Sequence, residues 1–176
     1  MSELEVRRVR IEDAAAQLAL EKRNRAFFQK FTGIRNENFY TLKEQQLIID
    51  RQLDAMKNDK GYYFILIKNE ELIGEIALSS VARGNLQSAW IGYFLDEKQN
   101  GRGYMTEAVA TVTKLAFREL DLHRLEAGVM PHNTGSLRVL EKCGYHKEGI
   151  ARKNVKINGI WQDHVSLAII NPADLG

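Results

Sequence analysis

The chain has 176 residues, 44% hydrophobic and 27% charged, which suits one folded domain over residues 1–176 with a sizeable core. With 25 Lys and Arg against 23 Asp and Glu the net charge is +2, an argument against nucleic-acid binding, and no apolar run approaches the ~20 residues of a membrane span. The single cysteine, Cys143, excludes an intrachain disulfide, and with an N-terminus (MSELEVRRVR) that lacks an apolar secretory core it points to a reducing, cytoplasmic setting.

In chain order, Leu4 to Arg10 alternates and predicts a short half-buried strand. Residues 13–24 are rich in Ala and Leu and predict a helix, whereas 25–38 hold Phe27, Phe28 and Phe31 without a clean period. Thr41 and Glu44 have the spacing of a capping box, and Leu42, Ile49, Leu53 and Met56 mark one face of the helix that follows. Two strands, 62–68 and 72–80, form a hairpin about Asn69-Glu70-Glu71, and 87–95 is a third strand. The next helix has Met105, Val109, Val112, Ala116 and Leu120 on its inner face; a strand at 124–130 follows it. Asn133 is a good N-cap for a short helix that turns Leu137, Leu140 and Cys143 inward, with Gly144 just past its end. Residues 155–157 and 161–169 flank Asn158-Gly159, a strong hairpin signal. This order predicts an α/β fold: a mixed, mostly antiparallel sheet with helices on both faces, and a parallel pair around the helix at 105–121.

The segment Asn100-Gly101-Arg102-Gly103-Tyr104-Met105 lies between a strand and a helix. Two glycines let the backbone turn tightly and approach a ligand. The N–H groups of residues 101–106 would gather at a helix start, where the dipole favours an anion such as a pyrophosphate. A plain tight turn is the competing reading. A Walker A loop is excluded because no Gly-Lys-Ser/Thr follows, and a Rossmann fingerprint because Thr106 stands where its last Gly belongs. The four histidines, His123, His132, His146 and His164, are scattered without metal-ligand spacing, so no metal is expected.

Three segments, in order, resemble one family. NGRGYMTEA is similar to the acetyl-CoA loop Q/R-x-x-G-x-G/A of GNAT N-acetyltransferases, with Asn100 where Gln or Arg is usual and Met105 in place of the final Gly or Ala. MPHNTGSLRVLEKCGY resembles the MPHN-x-x-S segment of the ribosomal-protein-alanine branch, and KEGIARKNVKINGIWQDHV its K-E-G … G-x-W-x-D-H-V tail. The resemblance covers about residues 87–167; the N-terminal third shares only the order of elements.

The resemblance implies a GNAT fold whose parallel strands splay apart, and transfer of acetyl from acetyl-CoA to an amine. It places the pantetheine arm against the backbone of Phe94 and Leu95, the pyrophosphate on the loop Asn100, Gly101, Arg102, Gly103, Tyr104, Met105 and Thr106, and the arm within reach of Asn133, which also suits an N-cap. Arg102 and Arg138 are candidates for a phosphate, and both equally suit a solvated helix surface. Many family members have a Tyr seven residues after the Asn as the acid for the departing thiolate; Leu140 stands there. Ser136 is then the candidate donor to sulfur, with a local helix bond as the alternative. Glu75 is the candidate base, expected to matter most at low pH, where the acceptor is protonated; as a strand carboxylate it equally suits solvent. Asp163 and His164 are its rivals near the acceptor mouth, unless they satisfy buried polar groups. Cys143 reads as packing. The branch points to a protein N-terminal amine as acceptor, such as that of a ribosomal protein; small amines and a non-catalytic acyl-CoA-binding regulator are the alternatives. Oligomeric state, including a homodimer, is left open by the sequence.

Overall fold

The structure, a computed structural model, describes residues 3–176. Its strands are β1 (Glu5–Arg8), β2 (Tyr62–Lys68), β3 (Glu71–Ala82), β4 (Ser88–Leu95), β5 (Arg124–Val129), β6 (His146–Ile157) and β7 (Ile160–Ile170). Its α-helices are α1 (Ala14–Arg23), α2 (Arg25–Gln29), α3 (Leu42–Lys57), α4 (Tyr104–Arg118) and α5 (Thr134–Lys142). The strands form one sheet in the order β1-β2-β3-β4-β5-β7-β6. Every neighbouring pair is antiparallel except β4–β5. No helix among the described residues is long and apolar enough to cross a membrane.

The sheet is covered on both faces, so β2 reads as an unbroken apolar run. Phe64 and Leu66 enter the core beneath α4 and α5, and Ile65 enters the second core with Leu20 of α1 and Ile49 of α3. On α4, Met105, Val109, Val112 and Ala116 recur at helical spacing, and all are buried. Asn69 and Glu70 have φ of 50° and 65°, and Asn158 and Gly159 have 46° and 81°, the double positive pair that a two-residue hairpin needs to match strand twist.

Three local expectations change. Only half of the capping box at Thr41 forms: its hydroxyl accepts from Glu44 N–H at 3.2 Å, but the Glu44 carboxylate accepts from Asn38 and Arg51 instead. Leu42 is 44% exposed, and Gln45 takes the buried place beside Ile49. The last hairpin begins at His146 rather than Val155, because β6 carries register breaks at Lys147/Gly149 and Ala151/Val155 and is solvent-exposed almost throughout, which erases its alternation.

One irregularity positions the site. In β3 the register against β2 jumps from Leu66↔Gly74 to Ile67↔Leu72, a one-residue bulge at Ile73. Gly74 sits where a Cβ would lie 2.7 Å from the Phe94 carbonyl oxygen, so only glycine fits this close crossing of β3 and β4. Simple alternation from Leu72 would put Glu75 on the opposite face; the bulge turns Glu75 back toward α1.

Candidate active site

β4 and β5 hydrogen-bond only over Ser88↔Arg124 to Trp90↔Glu126. Beyond Trp90 they diverge, and two cavities occupy the gap. The inner one is about 340 Å³ and the outer one about 530 Å³. Phe31, Tyr93, Phe94, Asn133 and Ser136 line both, so the cavities adjoin at the end of β4.

The outer cavity gathers most of the loop read from the sequence. Phe94, Leu95, Asn100, Gly101, Gly103, Tyr104, Met105 and Thr106 all line it. Gly101 and Gly103 have φ of 77° and 82°, and the second is the N-cap of α4. Glu107 N–H is bonded to Gly103 O at 3.0 Å, so the N–H groups of Tyr104, Met105 and Thr106 precede the first intrahelical bond, at a helix start where the dipole favours an anion. Asn100 N–H is not part of this set, because it donates to Glu97 O. Of the two candidate arginines, Arg138 lines the cavity and Arg102 does not; Lys142, one turn beyond Arg138 on α5, joins it. The loop is anchored from behind: Arg23 of α1 donates to buried Asp96 at 2.6 Å, and Asn24 Oδ1 accepts from Glu97 N–H at 3.0 Å. Burial pushes the Asp96 carboxyl up, but Arg23 and the Lys98 N–H outweigh it and hold it below its usual range.

At the junction Asn133 caps α5, its Oδ1 accepting from Ser136 N–H at 3.3 Å while the residue lines both cavities. The Ser136 hydroxyl lies 2.8 Å from that of Tyr93. Burial pushes the Tyr93 phenol well above its ordinary range, so it stays protonated. Leu140 is fully buried. The Cys143 thiol is raised by burial and donates to Thr106 O at 3.3 Å, a packing arrangement.

The inner cavity is mostly apolar. Among its described lining residues only Glu75 is an acid, and none is Lys or Arg. Glu75 does not face solvent across a bare sheet: it is half-buried, accepts from Gln17 Nε2 at 3.1 Å, and shares a hydrogen bond with the buried Glu21. Burial first and the Glu21 charge second push Glu75 up to about 8, partly offset by Arg35. Arg35 donates to Glu21 at 2.6 Å and lies 4.2 Å from the Phe39 ring centroid. Two carboxylates sharing one bond cannot both be ionised cheaply, so Glu75 carries the proton near neutrality. This direction runs against the expectation that Glu75 matters most at low pH. The two rivals separate: His164 is buried and lines the cavity, whereas Asp163 does not line it and accepts from Lys153 N–H at 2.8 Å in the β6 irregularity.

A parallel pair that parts beyond Trp90, with a glycine turn and a helix start beside it, is the fold the resemblance implies, and comparison with known proteins agrees on the fold. The family model described as "Acetyltransferase (GNAT) domain" matches residues 3–146. The chain belongs to the GNAT acetyltransferase family. It is 52% identical over 171 residues to the probable N-acetyltransferase YjcK of Bacillus subtilis, covering 96% of this chain and 94% of that one. It is 32% identical to the [ribosomal protein uS5]-alanine N-acetyltransferase of Escherichia coli, covering 96% and 88%. The crystal structure of the ribosomal-protein-S5-alanine acetyltransferase of Vibrio fischeri superposes with a TM-score of 0.94 at 29% identity, over 98% of this chain and 95% of that one. The Mycobacterium smegmatis RimJ structure, in complex with CoA-disulfide, gives 0.91 at 28% identity, over 98% and 84%.

Four residues at the candidate site of this N-acetyltransferase had no sequence signal. Tyr93 sits in a strand where alternation alone accounts for it. Gln17 and Glu21 look like ordinary polar positions of an Ala-rich helix. Lys142 reads as a helix-end cation.

Proposed function

We propose that this acetyltransferase moves the acetyl group of acetyl-CoA to the N-terminal α-amine of a protein. The observation that carries the reading is the pair of adjoining cavities. The outer one offers helix N–H groups, Arg138 and Lys142 to phosphates. The inner one offers an uncharged pocket with one titratable carboxylate. The pantetheine arm runs along the free edge of β4 at Phe94 and Leu95, with the thioester at the junction beside Ser136 and Asn133. A backbone N–H of β4 near Leu95 polarises the carbonyl. Glu75, in its ionised fraction, takes the proton that the nitrogen loses as it attacks, and Ser136 donates to the sulfur as it leaves.

The acceptor class follows from the inner cavity. A polyamine carries further ammonium groups that need carboxylates along the channel, and among the described residues Glu75 is the only acid lining it. A protein N-terminus brings one charge followed by neutral backbone. An α-amine has a pKa of ~8, whereas a lysine at ~10.4 costs about 3 kcal/mol more to deprotonate. The E. coli and V. fischeri relatives, named for alanine of a ribosomal protein, support a ribosomal protein as the source of that N-terminus.

The test is turnover with acetyl-CoA, read as free thiol, on peptides that begin with free Ala or Ser, on the same peptides blocked at the N-terminus but carrying Lys, and on polyamines. Acetylation of the free N-terminus alone is the expected result. Efficient acetylation of blocked Lys peptides or polyamines would overturn the acceptor assignment and leave the acetyltransferase standing.

A further inference from the structure

Ser136 presents one hydroxyl to the junction from α5, whereas Leu140, one turn further on, is fully buried and offers none. A second hydroxyl reaches the same junction from the opposite wall. Tyr93 lies on β4, three residues past the last β4–β5 pair, and its side chain crosses the gap to α5. Its hydroxyl is 2.8 Å from Ser136 Oγ and 3.2 Å from Ser136 O, and both residues line both cavities.

We propose that Tyr93 is the positioning residue of a two-hydroxyl donor, in which Tyr93 orients and acidifies Ser136 toward the departing sulfur of the coenzyme. This rests on the acetyl-transfer reading of the site.

The hydrogens can be arranged in two ways. If Tyr93 donates to Ser136 O, the Ser136 hydroxyl turns to the phenol oxygen and nothing faces the sulfur. If Tyr93 donates to Ser136 Oγ along the shorter contact, the Ser136 proton is free to point into the junction. The 2.8 Å contact is the shorter of the two, which favours Oγ as the acceptor, and donation to Oγ strengthens the bond that Ser136 makes in turn. Asn133 accepts from the Ser136 backbone N–H, so the residue that carries Oγ is anchored at its backbone as well.

The step closes as follows. The nitrogen lone pair forms the N–C bond, and the C–S bond breaks with its electron pair going to sulfur. One N–H proton passes to Glu75. Sulfur leaves as a thiolate that accepts from the Ser136 hydroxyl, whose Oγ accepts from Tyr93 throughout, and it takes its proton from solvent, into which Glu75 discharges its own. No oxidant or further reactant is required.

The experiment compares single-turnover acetylation of an Ala-initiated peptide by wild type, Tyr93→Phe, Ser136→Ala and the double variant, with acetyl-CoA affinity and melting temperature measured on each. Tyr93→Phe keeps the ring that fills the wall, so fold and affinity should be kept. Its single-turnover rate should fall by on the order of tenfold to a hundredfold, the range for removing the support behind a reacting group. Ser136→Ala should fall at least as far, and the double variant no further than Ser136→Ala, because the two act as one unit. A wild-type rate in Tyr93→Phe, or losses that multiply in the double variant, would overturn the proposal. So would a silent Ser136→Ala beside a slow Tyr93→Phe. Loss of acetyl transfer to every amine by the wild type itself would instead sink the reading on which it rests.

Discussion

Replacing Glu75 by Gln tests the inner cavity most directly. The variant removes the base while its amide can still donate to Glu21, as the protonated acid does. With Glu75 at about 8, the ionised fraction is about one-eleventh at pH 7, about one-hundredth at pH 6 and about ten-elevenths at pH 9. General-base catalysis contributes ~10²-fold at the low end of its range. The ratio of wild-type to variant kcat/KM should then be about 2 at pH 6, about 10 at pH 7 and about 90 at pH 9. Ionisation of the acceptor amine affects both proteins equally and divides out of the ratio. The assay is initial-rate thiol release on an Ala-initiated peptide across that range. A flat ratio, or one largest at low pH, would refute Glu75 as a base with a raised pKa. The same shift has a stability consequence of fixed sign. Between ~4.5 and ~8 the folded chain holds a proton that the unfolded chain has lost, so wild-type stability falls as pH rises, by up to about 1.4 kcal/mol per pH unit. Glu75→Gln lacks this slope, and melting curves at pH 5 and pH 8 should converge or cross in its favour.

Gly103→Val puts a β-branched residue at φ 82°, a strain of about 1–3 kcal/mol, and projects a side chain into open space at the proposed coenzyme loop. Calorimetry should show acetyl-CoA binding abolished; normal binding would reduce residues 100–106 to a turn. Arg138→Ala should raise KM for acetyl-CoA roughly tenfold, about 1.4 kcal/mol, and leave S-acetyl-pantetheine unchanged; an equal effect on both donors would remove Arg138 from the phosphate site. Asp96→Ala leaves Arg23 without its buried partner and should destabilise by about 3–5 kcal/mol at neutral pH, read by urea melts. Because the Asp96 pKa is depressed, that contribution is present above 3.8 and is lost as pH falls through the folded value, so wild type and variant should converge in acid.

The sequence by itself determined the elements whose cause is local. Asn133 and Gly144 bound α5 because capping needs only neighbours in the chain. Asn158-Gly159 set its hairpin for the same reason, and the apolar spacing of α4 fixed its buried face. The glycine turn at 101–103 and the helix start after it were legible as well, since their parts are contiguous. Tertiary structure alone decided what depends on residues brought from far apart. The bulge at Ile73 reverses the face of Glu75, and no pattern announces it because Gly74 is required by the Phe94 carbonyl of another strand. The pKa of Glu75 is set by Glu21 and Arg35, residues of helix and loop that carry no motif. Tyr93 meets Ser136 across 43 residues, in a gap that exists only because β4 and β5 stop pairing at Trp90. Local signals fix where chain segments begin, turn and bury a side; the protonation and hydrogen-bond partners of a site arise from surroundings that the chain acquires only on folding.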